Sequence, residues 1–194
     1  MFNLILLFVI SCVSIKPMPE KTVEVITNSP TTEASLEECS YEIGKVACDF
    51  KSLSSTGKQV SLSQFRGKTV VLQISVMWCH WCQVGANDGD PIVRHYGDDK
   101  IAWISLLLSN PRGKVPSVND LRMWGDFYDI EKQHLLTGSK DLVINKMGKG
   151  KPIIEGFPSY FIIDEQGVVV DKLLGYSPDA LKSSVKSHVQ KTIK

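Results

Sequence analysis

Residues Thr69 to Gln83 read TVVLQISVMWCHWCQ, and this stretch decides the fold. Its first half is β-branched and apolar on both faces, with Gln73 the one large polar interruption, as a central strand covered on both sides would be. Two cysteines three positions apart, Cys79 and Cys82, follow directly, flanked by Trp78 and enclosing His80 and Trp81. The next residues, through HYG at Gly97, predict a helix that opens at the cysteine pair. Gly85, Gly89 and Pro91 should loosen or kink it. KIAWISLLL is a second continuous apolar run, so strand, helix and strand form a crossover unit with a parallel strand pair.

Outward from this unit, ACDFKSL and the turn-rich SSTGKQ predict a strand entering a hairpin, and SLSQFRGK a short helical turn from Ser61 to Gly67. Downstream, Ser117 caps an amphipathic helix carrying Val118, Leu121, Met123, Trp124 and Phe127. HLLTG suits a short strand and SKDLVINKMGKGK a second short helix. Ser159 to Ile163 and Val168 to Leu174 form a hairpin through DEQG. A closing helix starts at Ser177 with Pro178 in its first turn. The expected fold class is therefore α/β: a central mixed sheet with helices on both faces, and a helical insertion between the crossover half and the hairpin half.

The chain has 194 residues, 43% hydrophobic, enough for one domain with a sizeable core. Lys and Arg number 22 against 21 Asp and Glu, so charge gives no reason to expect nucleic acid as a partner. Phe2 to Ile10 is an apolar run about half the length of a membrane span, which needs roughly 20 residues, and it matches the core of an export signal that lacks the usual basic start. VISC, ending at Cys12, resembles a bacterial lipobox, so 1–12 reads as a signal peptide or lipoprotein leader. Lipidation at Cys12 and simple cleavage nearby both stay open. Residues 13–38 mix Pro, Thr, Ser and Glu with few large apolar groups and predict a tether, leaving 39–194 as the domain. Setting Cys12 aside leaves an even number of cysteines, which suits an oxidising compartment. Cys39 and Cys48 bracket a loop short enough for one disulfide, or are two independent thiols.

A cysteine at a strand-to-helix junction meets the free N–H groups and partial positive charge of the helix start, which favour the thiolate. Cys79 would attack and Cys82, one turn inside, would resolve. A purely structural bridge across so small a loop gains little chain-entropy stabilisation. Zinc would need further ligands, and His95, His134 and His188 are scattered.

With VVLQISVMWCHWC, the hairpin of PSYFIID and above all GFPS at Gly156 to Ser159, the chain resembles the thioredoxin superfamily, in particular its extracytoplasmic TlpA/ResA-like thiol–disulfide oxidoreductases, from about Ile43 onward. The resemblance implies a thioredoxin-like fold, Cys79 as nucleophile, Cys82 as resolving thiol, Pro158 as a cis-proline facing the pair, and Trp78 and Phe157 as substrate-docking residues. It implies protein thiols or disulfides as substrates, an upstream redox partner, no cofactor, a monomer, and a periplasmic or secreted location, with membrane attachment by lipid if Cys12 is modified. Three departures bear on redox tuning. Gln73 stands where many thioredoxins have a buried acid that helps move the second cysteine's proton, and an amide cannot be that base. His80 and Trp81 replace the more usual Pro-containing pair. The acidic NDGDP inside the expected helix reads either as a cation site or, preferably, as a solvated, loosened turn. Two other readings remain: a copper chaperone using the cysteine pair with His134, although copper-handling relatives space their cysteines one residue further apart, and a thiol peroxidase.

Overall fold

A computed structural model describes residues 39–189, all within one compact unit, Leu36–Lys194. The leader, Cys12, the tether and residues 190–194 lie outside the described residues. The sheet that positions the site has five strands in the order β5-β4-β3-β6-β7. At its centre β3 (Thr69–Ser75) pairs in parallel with β4 (Ile101–Leu107) and antiparallel with β6 (Ser159–Ile163). Every residue of these three strands is buried, because each is covered on both faces. The outer strands are β5 (His134–Thr137), parallel to β4, and β7 (Val169–Leu174), antiparallel to β6. A separate hairpin, β1 (Lys51–Leu53) with β2 (Gln59–Ser61), leads into a short 3-10 turn at Leu62–Phe65 whose start is closed by a reciprocal cap between Ser61 and Gln64.

Period-two alternation sorts the sheet into two faces. Val70, Leu72 and Ile74 face one core with Ile104, Leu106, Phe161 and Ile163. That side is covered by Tyr41 to Phe50, by the 3-10 turn and by Val143 and Met147 of a π-helical segment, Leu142–Met147. Val71, Ile101, Trp103, Tyr160 and Ile162 face the other core. There they meet Ile92 and Val93 of α2 (Gly89–Tyr96) and Leu181, Val185 and Val189 of α4 (Pro178–Val189). The long helices thus gather on one face, and the opposite face is closed by shorter, less regular pieces. Helices therefore flank both faces, as expected, with the 3-10 turn and the π-helical segment, which ends at Gly148, on the second.

The helix after Cys79 is broken. It forms α1 (His80–Val84) and α2, separated at Gly85 to Asp88. A Cβ on Gly85 would lie 2.5 Å from the Tyr176 ring, and one on Gly89 would lie 2.5 Å from the Trp103 ring. Glycine at these positions lets two aromatic groups press against the backbone, and the break follows. In α3 (Val118–Phe127), Ser117 caps the first turn, accepting from the Asp120 N–H at 3.1 Å. Leu121 and Trp124 reach the core, whereas Met123 and Phe127 are exposed, so the apolar spacing overstated the buried face.

Cys39 and Cys48 are joined in a disulfide with a Cα–Cα distance of 4.7 Å. The bridged segment is fastened to the hairpin of β6 and β7 by Gly44 N–H to the Val169 carbonyl (2.8 Å) and Ala47 N–H to the Gly167 carbonyl (2.9 Å).

Candidate active site: a dithiol at the end of the central strand

The central strand β3 ends at Ser75, and Val76 to Trp78 carry the chain over the sheet edge to Cys79. Cys79 caps α1 in extended conformation, and its carbonyl accepts the Gln83 N–H at 3.0 Å. The Gln83 side chain returns to the Met77 carbonyl at 2.9 Å and clamps the approach. Cys79 is half-buried, Cys82 fully buried, and both are thiols. One sulfur can meet another molecule, and the other can be reached only from within.

The Phe157–Pro158 peptide is cis. The Cys79 thiol points at the Phe157 carbonyl, 3.8 Å away, so residues 78 positions apart meet at this sulfur. Pro158 is buried and its carbonyl accepts the Gly175 N–H at 2.8 Å, while the Ser159 hydroxyl donates to the Gly156 carbonyl at 2.7 Å. The GFPS loop is therefore held from both ends.

Around the pair, Trp78 and Trp81 are each 55% exposed, too much for core residues of their size. The Trp78 ring meets the edge of Phe157 at 6.3 Å, and its indole N–H donates to Ser109 Oγ at 3.1 Å. Trp81 contacts His80 at 5.1 Å and stacks on Tyr176 at 6.0 Å.

Burial pushes the Cys82 thiol up to about 12, and the neighbouring Cys79 adds to the rise. The Ser75 hydroxyl and the Val76 backbone favour the thiolate and offset part of it. Gln73 is buried but is not idle: its Oε1 accepts the Trp103 indole N–H at 3.1 Å and lies 3.0 Å from the Ser105 hydroxyl. That hydroxyl is also 2.8 Å from Gln133 Oε1, and Gln133 Nε2 donates to the Ala86 carbonyl at 2.9 Å. A polar seam thus runs beneath the helix break.

NDGDP belongs to this seam. It is neither a solvated turn nor a cation site: Asp90 is fully buried and accepts the backbone N–H groups of Glu131 and Lys132 at 2.8 and 3.0 Å, with Arg94 at 3.5 Å. The carboxylate is occupied in holding the chain that enters β5. His134 does not join the cysteines. It lies on edge strand β5, in register with Ile104 and so with Leu72 across the sheet, well before the strand end that carries the pair. Its ring packs on Phe65 at 4.7 Å. Among the described residues, no three His, Cys, Asp or Glu side chains converge to hold a metal ion.

Sequence reasoning missed Ser75, which lies beside the Cys82 sulfur, Tyr176, which stacks on Trp81, and Asp88 and Tyr160, which lie within electrostatic reach of each other. The one available signal was the acidic cluster interrupting an otherwise helical stretch.

The model of the Redoxin family matches residues 42–189, most of the chain and both halves of the site. The chain belongs to the Redoxin family. It is 25% identical over 142 residues to the thioredoxin-like protein YneN of Bacillus subtilis (strain 168), covering 73% of this chain and 76% of the relative. It is 24% identical over 160 residues to the thiol-disulfide oxidoreductase ResA of Bacillus thuringiensis subsp. konkukian (strain 97-27), covering 80% and 81%. Among solved structures, the exposed lipoprotein thioredoxin Etrx1 of Streptococcus pneumoniae strain TIGR4 superposes with a TM-score of 0.57 at 25% identity, over 72% of this chain and 98% of that one. The architecture of this Redoxin-family chain is accordingly thioredoxin-like, with its mixed five-stranded sheet flanked by helices.

Proposed function

We propose that this Redoxin-family protein passes electrons between the Cys79–Cys82 pair and cysteines of other proteins outside the cytoplasm. It is a thiol–disulfide oxidoreductase. The observation that carries the reading is the asymmetry of the pair: a reachable thiol at a helix start, opposite the Phe157 carbonyl, with a second thiol fully buried one turn behind it.

In the reducing direction, the Cys79 thiolate attacks one sulfur of a substrate disulfide, and a mixed disulfide forms as the other substrate sulfur leaves as thiolate. Cys82 then loses its proton and attacks the Cys79 sulfur. The mixed disulfide breaks, the Cys79–Cys82 disulfide closes, and the second substrate sulfur leaves. Two electrons have moved from the pair to the substrate. The oxidising direction is the same sequence reversed. Trp78, Phe157 and Pro158 supply an apolar rim for docking, and an extended substrate backbone would lie along the fixed GFPS loop. His80 and Trp81 on the outside and Gln73 beneath are the residues that would tune the potential.

The location outside the cytoplasm draws support from the apolar run at Phe2 to Ile10, from the Cys39–Cys48 disulfide and from the likeness to an exposed lipoprotein. Lipid attachment at Cys12, a tether over 13–38, an upstream redox partner and a monomeric domain complete the proposal. No helix among the described residues is long and apolar enough to cross a membrane.

Trapping tests this reading. Cys82→Ser should accumulate mixed disulfides through Cys79 that a reductant releases, and Cys79→Ser should accumulate none. Absence of trapped species with Cys82→Ser would contradict the assignment.

A further inference from the structure

A second aromatic flank, distinct from Trp78 and Phe157, borders the cysteine pair. Trp81 is 55% exposed and stacks on Tyr176, with the two rings 17° from parallel. Val84, three residues further along α1 and so on the Trp81 side of the helix, is 48% exposed. Large apolar side chains left bare side by side mark a surface that another molecule covers.

This flank is fixed from beneath. Gly175 has φ +80°, the left-handed region that favours glycine, and its N–H donates to the Pro158 carbonyl at 2.8 Å. The turn delivers Tyr176 against α1, where its ring packs so closely on Gly85 that a Cβ there would lie 2.5 Å from it. Tyr176 therefore joins the cis-proline loop to the helix that carries Cys82, and Trp81 rests on it. The strand ends concerned lie at one edge of the sheet, since Ile74 pairs with Ser159, Ser159 with Leu174, and Ser75 with Leu107. Ser109, the anchor of Trp78, follows β4, whereas Tyr176 follows β7, with β3 and β6 between them. The Cys79 end of β3 thus has one flank anchored to each side of it.

We propose that Trp81 and Val84, held by Tyr176, form a second docking wall that selects disulfides with a large apolar side chain, aromatic above all, two positions from the substrate cysteine. The proposal deepens the exchange reaction described above and rests on it. The occupant is an extended segment of the substrate chain, because the wall is continuous with the exchange site: Trp81 lies between the two cysteines in sequence, and Gly175 is bonded to the loop along which the substrate backbone would run.

The position follows from strand geometry. Successive side chains of an extended chain point to opposite sides and rise about 3.3 Å per residue. When the substrate cysteine points at Cys79, its immediate neighbours point away, and the residue two positions off faces the protein about 7 Å along. An aromatic side chain there meets the Trp81 ring. Because stacking on Tyr176 already fixes that ring, little further freedom is lost when substrate covers it. Trp81 touches substrate in this arrangement, and Tyr176 is a positioning residue that acts through it.

The test follows release of coloured nitrothiobenzoate when the reduced protein meets mixed disulfides of that thiol with short peptides, alanine throughout except for a central cysteine and one phenylalanine. The leaving thiol is the same in every peptide, so differences in rate report the flank. Phenylalanine two positions from the cysteine, on one side of it, should speed release about tenfold over the all-alanine peptide, and phenylalanine next to the cysteine should do much less. Trp81→Ala and Tyr176→Ala should bring that ratio close to one, whereas Tyr176→Phe, which keeps the ring, should preserve it. The ratio cancels any change a substitution makes in the thiolate itself. Thermal denaturation checks that each variant is folded, and if Tyr176→Ala is not, the exposed Trp81→Ala decides. A wild-type ratio near one, equal gains at every position, or a ratio that survives Trp81→Ala while all rates fall would overturn the wall and leave the exchange reading intact. A dimer that comes apart in Trp81→Ala would put a second copy of the chain on this surface and overturn it too. Failure of the wild-type protein to release nitrothiobenzoate from any peptide would sink the exchange reading, and the wall with it.

Discussion

Alkylation of the reduced protein with iodoacetamide should separate the two site cysteines by orders of magnitude. Only the thiolate reacts, so the rate follows its population. An ordinary thiol at the reference value of 9.0 is about one-tenth ionised at pH 8, whereas Cys82, pushed up to about 12, is ionised in about one molecule in ten thousand. Ionisation alone therefore slows Cys82 about a thousandfold, and its complete burial slows it further. The assay is a timed quench followed by peptide mapping, which reads Cys79 and Cys82 separately. Cys79 should be modified first. The Cys82 rate should rise about tenfold per pH unit from pH 7 to pH 10 without levelling, while the same thiol in denaturant levels off above about pH 9. Removing the Cys79 charge by alkylation trims this gap but does not close it, because burial is the largest cause of the shift. Equal modification of the two cysteines, or a Cys82 rate that levels off below about pH 9, would refute the argument.

Further outcomes follow from the same geometry. Because the folded state holds the Cys82 proton more tightly than the unfolded chain, the reduced protein should lose stability as pH rises from 9.0 toward about 12. The Cys79–Cys82 disulfide form has no such thiol, so denaturation of both forms across that window should show a larger loss in the reduced form, on top of the loss that tyrosines raised by burial, Tyr41 and Tyr160 foremost, cause in both. Gly89→Ala puts a methyl 2.5 Å from the Trp103 ring and should cost about 1–3 kcal/mol in chemical denaturation, with a change in tryptophan emission. Gln73→Leu strips the acceptor from the buried Trp103 N–H and should cost about 1–3 kcal/mol by the same measurement. An unchanged midpoint in either variant would contradict the packing described.

Most of the scaffold was legible because its signals are local. TVVLQISV and KIAWISLLL read as buried strands, Ser117 announced a cap, and PSYFIID with DEQG announced a hairpin. What escaped depends on distant parts of the chain. The break between α1 and α2 is set by Tyr176 and Trp103 pressing on Gly85 and Gly89, which periodicity cannot show. The π-helical Leu142–Met147 reads as an ordinary short helix because its residue types do not reveal the width of the turn. Met123 and Phe127 carry helical spacing, yet no element covers them. At the site, Cys79, Cys82 and Pro158 stand out through spacing and resemblance, whereas Ser75, Tyr160 and Tyr176 look like ordinary strand and loop residues. Only the fold reveals that Tyr160 pairs with Gln73 across the sheet and that Ser75 lies beside the buried sulfur.

The most direct test is equilibration in glutathione buffers of graded potential, followed by differential alkylation and mass analysis. The account predicts that Cys79 and Cys82 convert together between dithiol and disulfide as one two-electron couple, while Cys39–Cys48 stays closed throughout. A pair that never closes its own disulfide at any potential, or that oxidises at one cysteine only, would contradict it.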